Sequence, residues 1–199
     1  MKTLTAGLIA IATLGASAAW AQEQPMLVTR GTIASFSGQT LETKGRNGQS
    51  VPVTMTPKTA VLVANSATLA DVKPDSYVGV AAAPLPDGTL KALEVTIIDE
   101  KLRGLGDGHY GWDLTGGNTM TNGAVGSVQT TNGRTMVINY KGGSKTVVVP
   151  EDVPVVSIKS ADSAVLVPGA RVVVFSPKGA TGITADAVIA GADGTIPPM

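Results

Sequence analysis

Gly123-Ala-Val-Gly-Ser127 repeats Gly31-Thr-Ile-Ala-Ser35, and this repetition decides how the rest of the chain is read. Each copy opens a run in which apolar and polar residues alternate, the period of a half-buried β-strand. The likeness continues at an offset of 92 to 94 residues. Arg134 to Tyr140 matches the strand Thr40 to Lys44, Lys145 to Val149 matches Ser50 to Met55, and Pro150 to Val155 matches Thr56 to Val61. Leu166-Val-Pro-Gly-Ala-Arg-Val172 matches Val72-Lys-Pro-Asp-Ser-Tyr-Val78, and Ile183 to Val188 matches Leu90 to Val95. Asn47-Gly48, Asp87-Gly88 and Asn132-Gly133 sit between the runs, where residues that tolerate positive φ close hairpins. Ser66 to Val72 is the one stretch that reads as a helical turn, with Ser66 as its N-cap.

The fold expected from this pattern is all-β. It comprises two tandem small barrels, OB-like in size, from an internal duplication joined by a glycine-rich linker. The boundaries follow the repeat: β-domain 1 at 28–100, a linker or central loop at 101–122, β-domain 2 at 123–191 and a tail at 192–199. Residues 1–21 read as a signal peptide: basic Lys2, an apolar run from Leu4 to Ala19, and Ala19-Trp20-Ala21 as a small-x-small cleavage site before Gln22. The apolar run is shorter than the roughly 20 residues a spanning helix needs, and no later stretch is longer. The mature chain is therefore expected to carry no membrane span and to reside in the periplasm.

Composition removes several function classes. There are 15 basic and 15 acidic residues in 199, and loss of Lys2 with the leader leaves a net charge of −1, which gives no pull towards nucleic acid. With no cysteine, disulfides, thiolate metal sites and a lipid-anchored N-terminus all fall away. A single histidine and the absence of a Gly-x-Ser-x-Gly elbow leave a hydrolase only as a second rival reading, with His109 as base and a serine supplied from a distant strand.

Chemistry therefore concentrates between the copies, in Arg103-Gly-Leu-Gly-Asp-Gly-His-Tyr-Gly-Trp-Asp113, which holds the only histidine. Arg103, Asp107, His109, Tyr110, Trp112 and Asp113 are the candidate ligand-binding residues. The rings of Tyr110 and Trp112 could stack on a sugar or on a partner's side chain. Asp107, His109 and Asp113 would be the ligands if a metal were bound, since imidazole and carboxylate suit zinc, nickel, copper or manganese. A structural reading competes with both: a loop that plugs the gap between two barrels.

The glycine-x-Val/Ile start of each copy, Leu69-x-x-Val72-Lys-Pro74 and Val78 resemble the bacterial exported domain of unknown function 5666. Gly106-Asp-Gly-His-Tyr-Gly-Trp-Asp113, Met120-Thr-Asn-Gly123, Gly191-x-Asp-Gly194 and Pro197-Pro-Met199 are similar to one proteobacterial subgroup of it, often labelled metal ABC transporter permease. A permease needs several spanning helices, so that label does not suit this chain. The resemblance implies a β-rich exported fold and no established activity. The expectation is an exported, non-enzymatic binding or scaffolding protein without a cofactor, acting on a periplasmic protein or a small molecule. The alternative is a metal-binding accessory of a metal transport system.

Overall fold

The computed structural model describes residues 26–45, 47–114, 116–129, 134–178 and 182–198; the leader at 1–21 and the Asn132-Gly133 turn lie outside the described residues. The described chain is all-β, as expected. A meander of β1 (Met26–Phe36), β2 (Thr40–Gly45) and β3 (Ser50–Thr54) leads into β4 (Ala60–Ala67) and, past a 3-10 turn, the hairpin β5 (Tyr77–Pro84) and β6 (Leu90–Ile98). After a short β7 (Gly108–Gly111) the succession recurs: β8 (Thr119–Gln129), β9 (Thr135–Tyr140), β10 (Gly143–Val148), β11 (Val155–Ser160) and β12 (Arg171–Pro177). Then β13 (Ile183–Thr184) and β14 (Ala187–Gly191) stand where β6 stood. Among the described residues, no helix is long and apolar enough to cross a membrane.

The packing units cross the boundaries expected from the repeat. β5 and β6 of the first half form a closed five-stranded barrel with β8, β9 and β10 of the second, shut by the parallel β10–β6 pair. Its core joins Val78, Val80, Leu90 and Val95 to Val125, Met136, Ile138 and Val147. The other barrel takes β1, β2 and β3 from the first half and β12, β13 and β14 from the second, with β3 pairing in parallel to β13. Its core joins Ile33, Leu41 and Val53 to Leu166, Val172, Val174 and Val188. Neither 28–100 nor 123–191 is thus a separately packed domain. The cause is visible in β4 and β11. Each carries the chain out of one barrel and into the other, and the two pair antiparallel where they cross, Ala64 opposite Ile158.

The recurring glycine motif has a structural reason in this exchange. β1 and β8 both carry a register shift within the motif, between Ile33 and Ser35 and between Val125 and Ser127. Ile33 N–H donates to Ala170 O at 2.9 Å and Gly169 N–H returns to Ile33 O at 2.8 Å. On the other side Val125 N–H donates to Ser76 O at 2.9 Å and Asp75 N–H returns to Val125 O at 2.7 Å. The proline turn of each half is thus pinned by the glycine strand of the other. Asp75 holds φ 66° there, where the equivalent Gly169 has φ 89°; a short polar side chain is among the few that tolerate that region.

Ser66 is not the cap expected of it. It lies within β4, opposite Val156, and the turn that follows is a single 3-10 turn at Leu69–Asp71. Thr68 precedes that turn, and the Asp71 carboxylate accepts from both the Thr68 N–H and its hydroxyl, each at 2.8 Å. Cross-strand pairing carried β4 two residues further than local propensity suggested. A third apolar cluster, Leu62, Ala64, Tyr77, Ile98, Ile158 and Ile189, belongs to strands of the central region. Leu102 packs on this cluster from the segment between the halves, and Phe175 from β12.

Candidate functional site

That segment, residues 99–114, is a strap tied to both barrels, and its ties use most of the residues singled out in the sequence. It starts at Asp99, whose side chain accepts from Lys101 N–H at 3.0 Å and so fixes the 3-10 turn Glu100–Leu102. Arg103 donates to both carboxylate oxygens of Glu100 and to the carbonyl of Asp75 at 2.7 Å. Its guanidinium also lies 5.7 Å above the Tyr77 ring. The pairing with Arg103 holds the Glu100 carboxyl below the usual carboxylate range. Burial, and then the Asp107 charge and Tyr110, push the Tyr77 hydroxyl up to about 12.

The glycines let the strap turn and close down on its neighbours. Gly106 has φ 61°, and a Cβ there would sit 2.6 Å from Asn122 Nδ2 and 3.0 Å from the Tyr110 hydroxyl. Asn122 Nδ2 donates to Gly106 O at 3.1 Å and to Tyr110 Oη at 3.0 Å. Asp107 accepts from Lys141 N–H at 2.8 Å, which ties the strap to the β9–β10 hairpin. β7 then pairs antiparallel with β8, Gly108 opposite Asn122 and Gly111 opposite Thr119.

His109 lies on the inner face of β7. Its Nδ1 is 2.8 Å from the hydroxyl of fully buried Thr121, and its ring is 5.8 Å from that of Tyr140. Burial first, and then the Lys145 charge, lower its pKa below the ordinary 6.5. The folded protein therefore favours neutral imidazole more than the unfolded chain does. Stability from this group is complete above the ordinary value and is lost as pH falls through the lowered one. We expect urea-unfolding free energy to drop between about pH 7 and pH 5 more steeply in the wild type than in His109→Gln. Parallel curves would show that this imidazole is indifferent to folding.

At its far end the strap reaches the other barrel. Asp113 accepts two hydrogen bonds from Arg30 of β1, at 2.7 and 3.1 Å, and these hold its carboxyl below the usual range. The Asp113 side chain is half exposed, so screening keeps the pair to about 1 kcal/mol or less. Its value is positional, joining residues 83 apart in sequence. Trp112 N–H donates to Asn118 O at 2.8 Å. The Trp112 ring lies 6.4 Å from Tyr110, edge to face, and 6.5 Å from Phe175 of β12.

The six sequence candidates thus share one strap but do not converge on one point. Asp107, His109 and Asp113 face Lys141, Thr121 and Arg30 in turn. Among the described residues no three or more His, Cys, Asp or Glu side chains come together as a metal would require. What converges instead is aromatic: Tyr110, 39% exposed, then Trp112 and Phe175, with Leu105, 47% exposed, on the same strap. No family model, curated protein or solved structure matches this chain. Sequence reasoning missed Arg30, Thr121, Asn122 and Phe175. The one available signal was Met120-Thr-Asn-Gly123, which holds both Thr121 and Asn122; Arg30 and Phe175 lie on ordinary alternating strands.

Proposed function

We propose an exported, non-enzymatic binding or scaffolding protein of the periplasm, with the outer surface of the strap as its docking face. The export half of this reading rests on the leader pattern of residues 1–21. The binding half rests on one observation, the aromatic row. Phe36, Tyr77, Tyr110, Trp112, Tyr140 and Phe175 are the aromatic side chains among the described residues, and three of them line up at 6.4 and 6.5 Å on and beside the strap. Rings at that spacing suit a sugar face or an apolar side chain. The polar groups around them are engaged in fixing the strap, which preorganises a binding face. A general base, by contrast, must be within reach of a substrate proton. The likeness to domain of unknown function 5666 belongs to the same proposal, two of its motif residues, Ile33 and Val125, being those that pin the exchanged proline turns.

Trp112 is the natural reporter. Its emission should shift and saturate on titration with one member of a panel of peptidoglycan fragments and short apolar peptides, and Tyr110→Ala should weaken that response at least tenfold. A panel that leaves the emission unchanged would retire the binding reading. A stoichiometric ion in untagged protein, lost in His109→Ala, would replace it with the metal-accessory alternative.

A further inference from the structure

β1 and β8 hold equivalent places in the two barrels, and one difference between them points to a second interaction site. β8 has β5 along one edge; along the other it has β9 at Ala124 to Gln129 and β7 at Thr119 to Asn122. β1 has β12 along one edge and β2 along the other, but β2 reaches only Gly31 to Phe36. Among the described residues, nothing pairs with the second edge of β1 at Met26 to Arg30, the place β7 fills on β8.

The groups on that open edge follow from alternation along a strand. Ile33 N–H donates towards β12, at Ala170, and the β1–β12 register runs unbroken from Met26 to Thr32. Val28 and Arg30, an odd number of residues away, therefore turn their N–H and C=O to the open side. Native proteins blunt such edges with proline, free charge or a bulge. Met26-Leu-Val-Thr-Arg30 has no proline and no register shift, and its one charge is held by Asp113. Met26 and Leu27 are 52% and 38% exposed, and Val28 lies opposite Phe175, which packs near Trp112.

We propose that the open edge of β1 accepts an extended peptide as an added antiparallel strand, as β8 accepts β7, with an apolar or aromatic guest side chain beside Val28 and Trp112. Main-chain hydrogen bonds at Val28 and Arg30 provide the grip, and the apolar face selects the guest. This goes beyond the strap as a docking face and stands on the edge geometry alone.

The probe is a capped synthetic peptide of residues 107–113, the strand that fills the equivalent slot. Amide exchange of the whole protein, followed by NMR with peptide at up to about 1 mM, should slow at least tenfold at Val28 and Arg30. The effect should vanish for the same peptide N-methylated at alternate amides and, read at Arg30 because proline carries no amide hydrogen, in Val28→Pro. If Val28→Pro fails to fold, the N-methylated peptide decides. Unchanged exchange, or equal action of the N-methylated peptide, overturns the proposal. So does protection of both amides in free protein that grows with protein concentration alongside dimer formation, since a second copy would then own the edge.

Discussion

A chain divided between Gly116 and Gly117 should yield two fragments that are each unfolded as monomers and that fold when mixed. The cut falls where a Cβ would meet nothing within 4 Å on either side, so the break itself disturbs little packing. What it removes is half of each barrel. The earlier fragment keeps Val78, Val80, Leu90 and Val95 but loses Val125, Met136, Ile138, Val147, Val149 and Val155 from the same core. At roughly 1.5–3 kcal/mol for burying each large apolar side chain, that loss matches or exceeds the whole net stability of an ordinary domain, about 5–15 kcal/mol. β1 also loses β12, and β4 loses both β11 and β14. Dispersed amide spectra and a cooperative urea transition should appear only in the equimolar mixture. Because the two halves repeat one pairing scheme, any folded form of the earlier fragment alone should be a dimer in sedimentation. A folded monomer would contradict the exchanged packing.

The strands themselves were legible, because burial on one face imposes a period of two that composition displays directly. Leu41 and Thr43 are fully buried in β2, and Met136 and Ile138 in β9, each pair two residues apart. The paired glycine motifs were legible as a repeat. Which half supplies the neighbouring strand was not. An edge strand offers the same backbone groups to any partner, so alternation in β1 says nothing about whether β12 or β5 lies beside it. The exchange is decided by where β4 and β11 cross, a relation between residues about ninety apart. The strap shows the same limit. His109 and Trp112 stood out by rarity and Asp113 by nearness to them, but its partner Arg30 lies on an alternating strand like many others. Glycine-rich composition suggested a linker; the hydrogen bonds of Arg103, Asp107 and Asp113 make it a tie between barrels.

Gly123→Ala should be among the most destabilising single-methyl additions in the chain, with a loss of about 2–3 kcal/mol. A Cβ on Gly123 would be driven into the Asn139 carbonyl group, its carbon only 2.8 Å away, and into Ile138 Cγ2 at 3.1 Å. The first of these is backbone in β9 and cannot swing aside as a side chain would. Relief requires β8 and β9 to part at the point where Val125 also grips Ser76 and Asp75 of the exchanged turn. Gly31 is the equivalent position, and its Cβ would meet the Lys44 carbonyl with the carbon at 3.1 Å, slightly further off. The expected order of loss in urea unfolding is therefore Gly123→Ala, then Gly31→Ala, with Gly116→Ala within about 0.5 kcal/mol of wild type. Since both barrels contain strands from both halves, the Gly123 and Gly31 variants should each keep a single transition seen alike by Trp112 emission and far-ultraviolet dichroism. If all three substitutions cost the same, close backbone approach is not what the repeated glycine serves. If the two motif variants instead split the transition in two, the barrels do not depend on each other as their shared strands require.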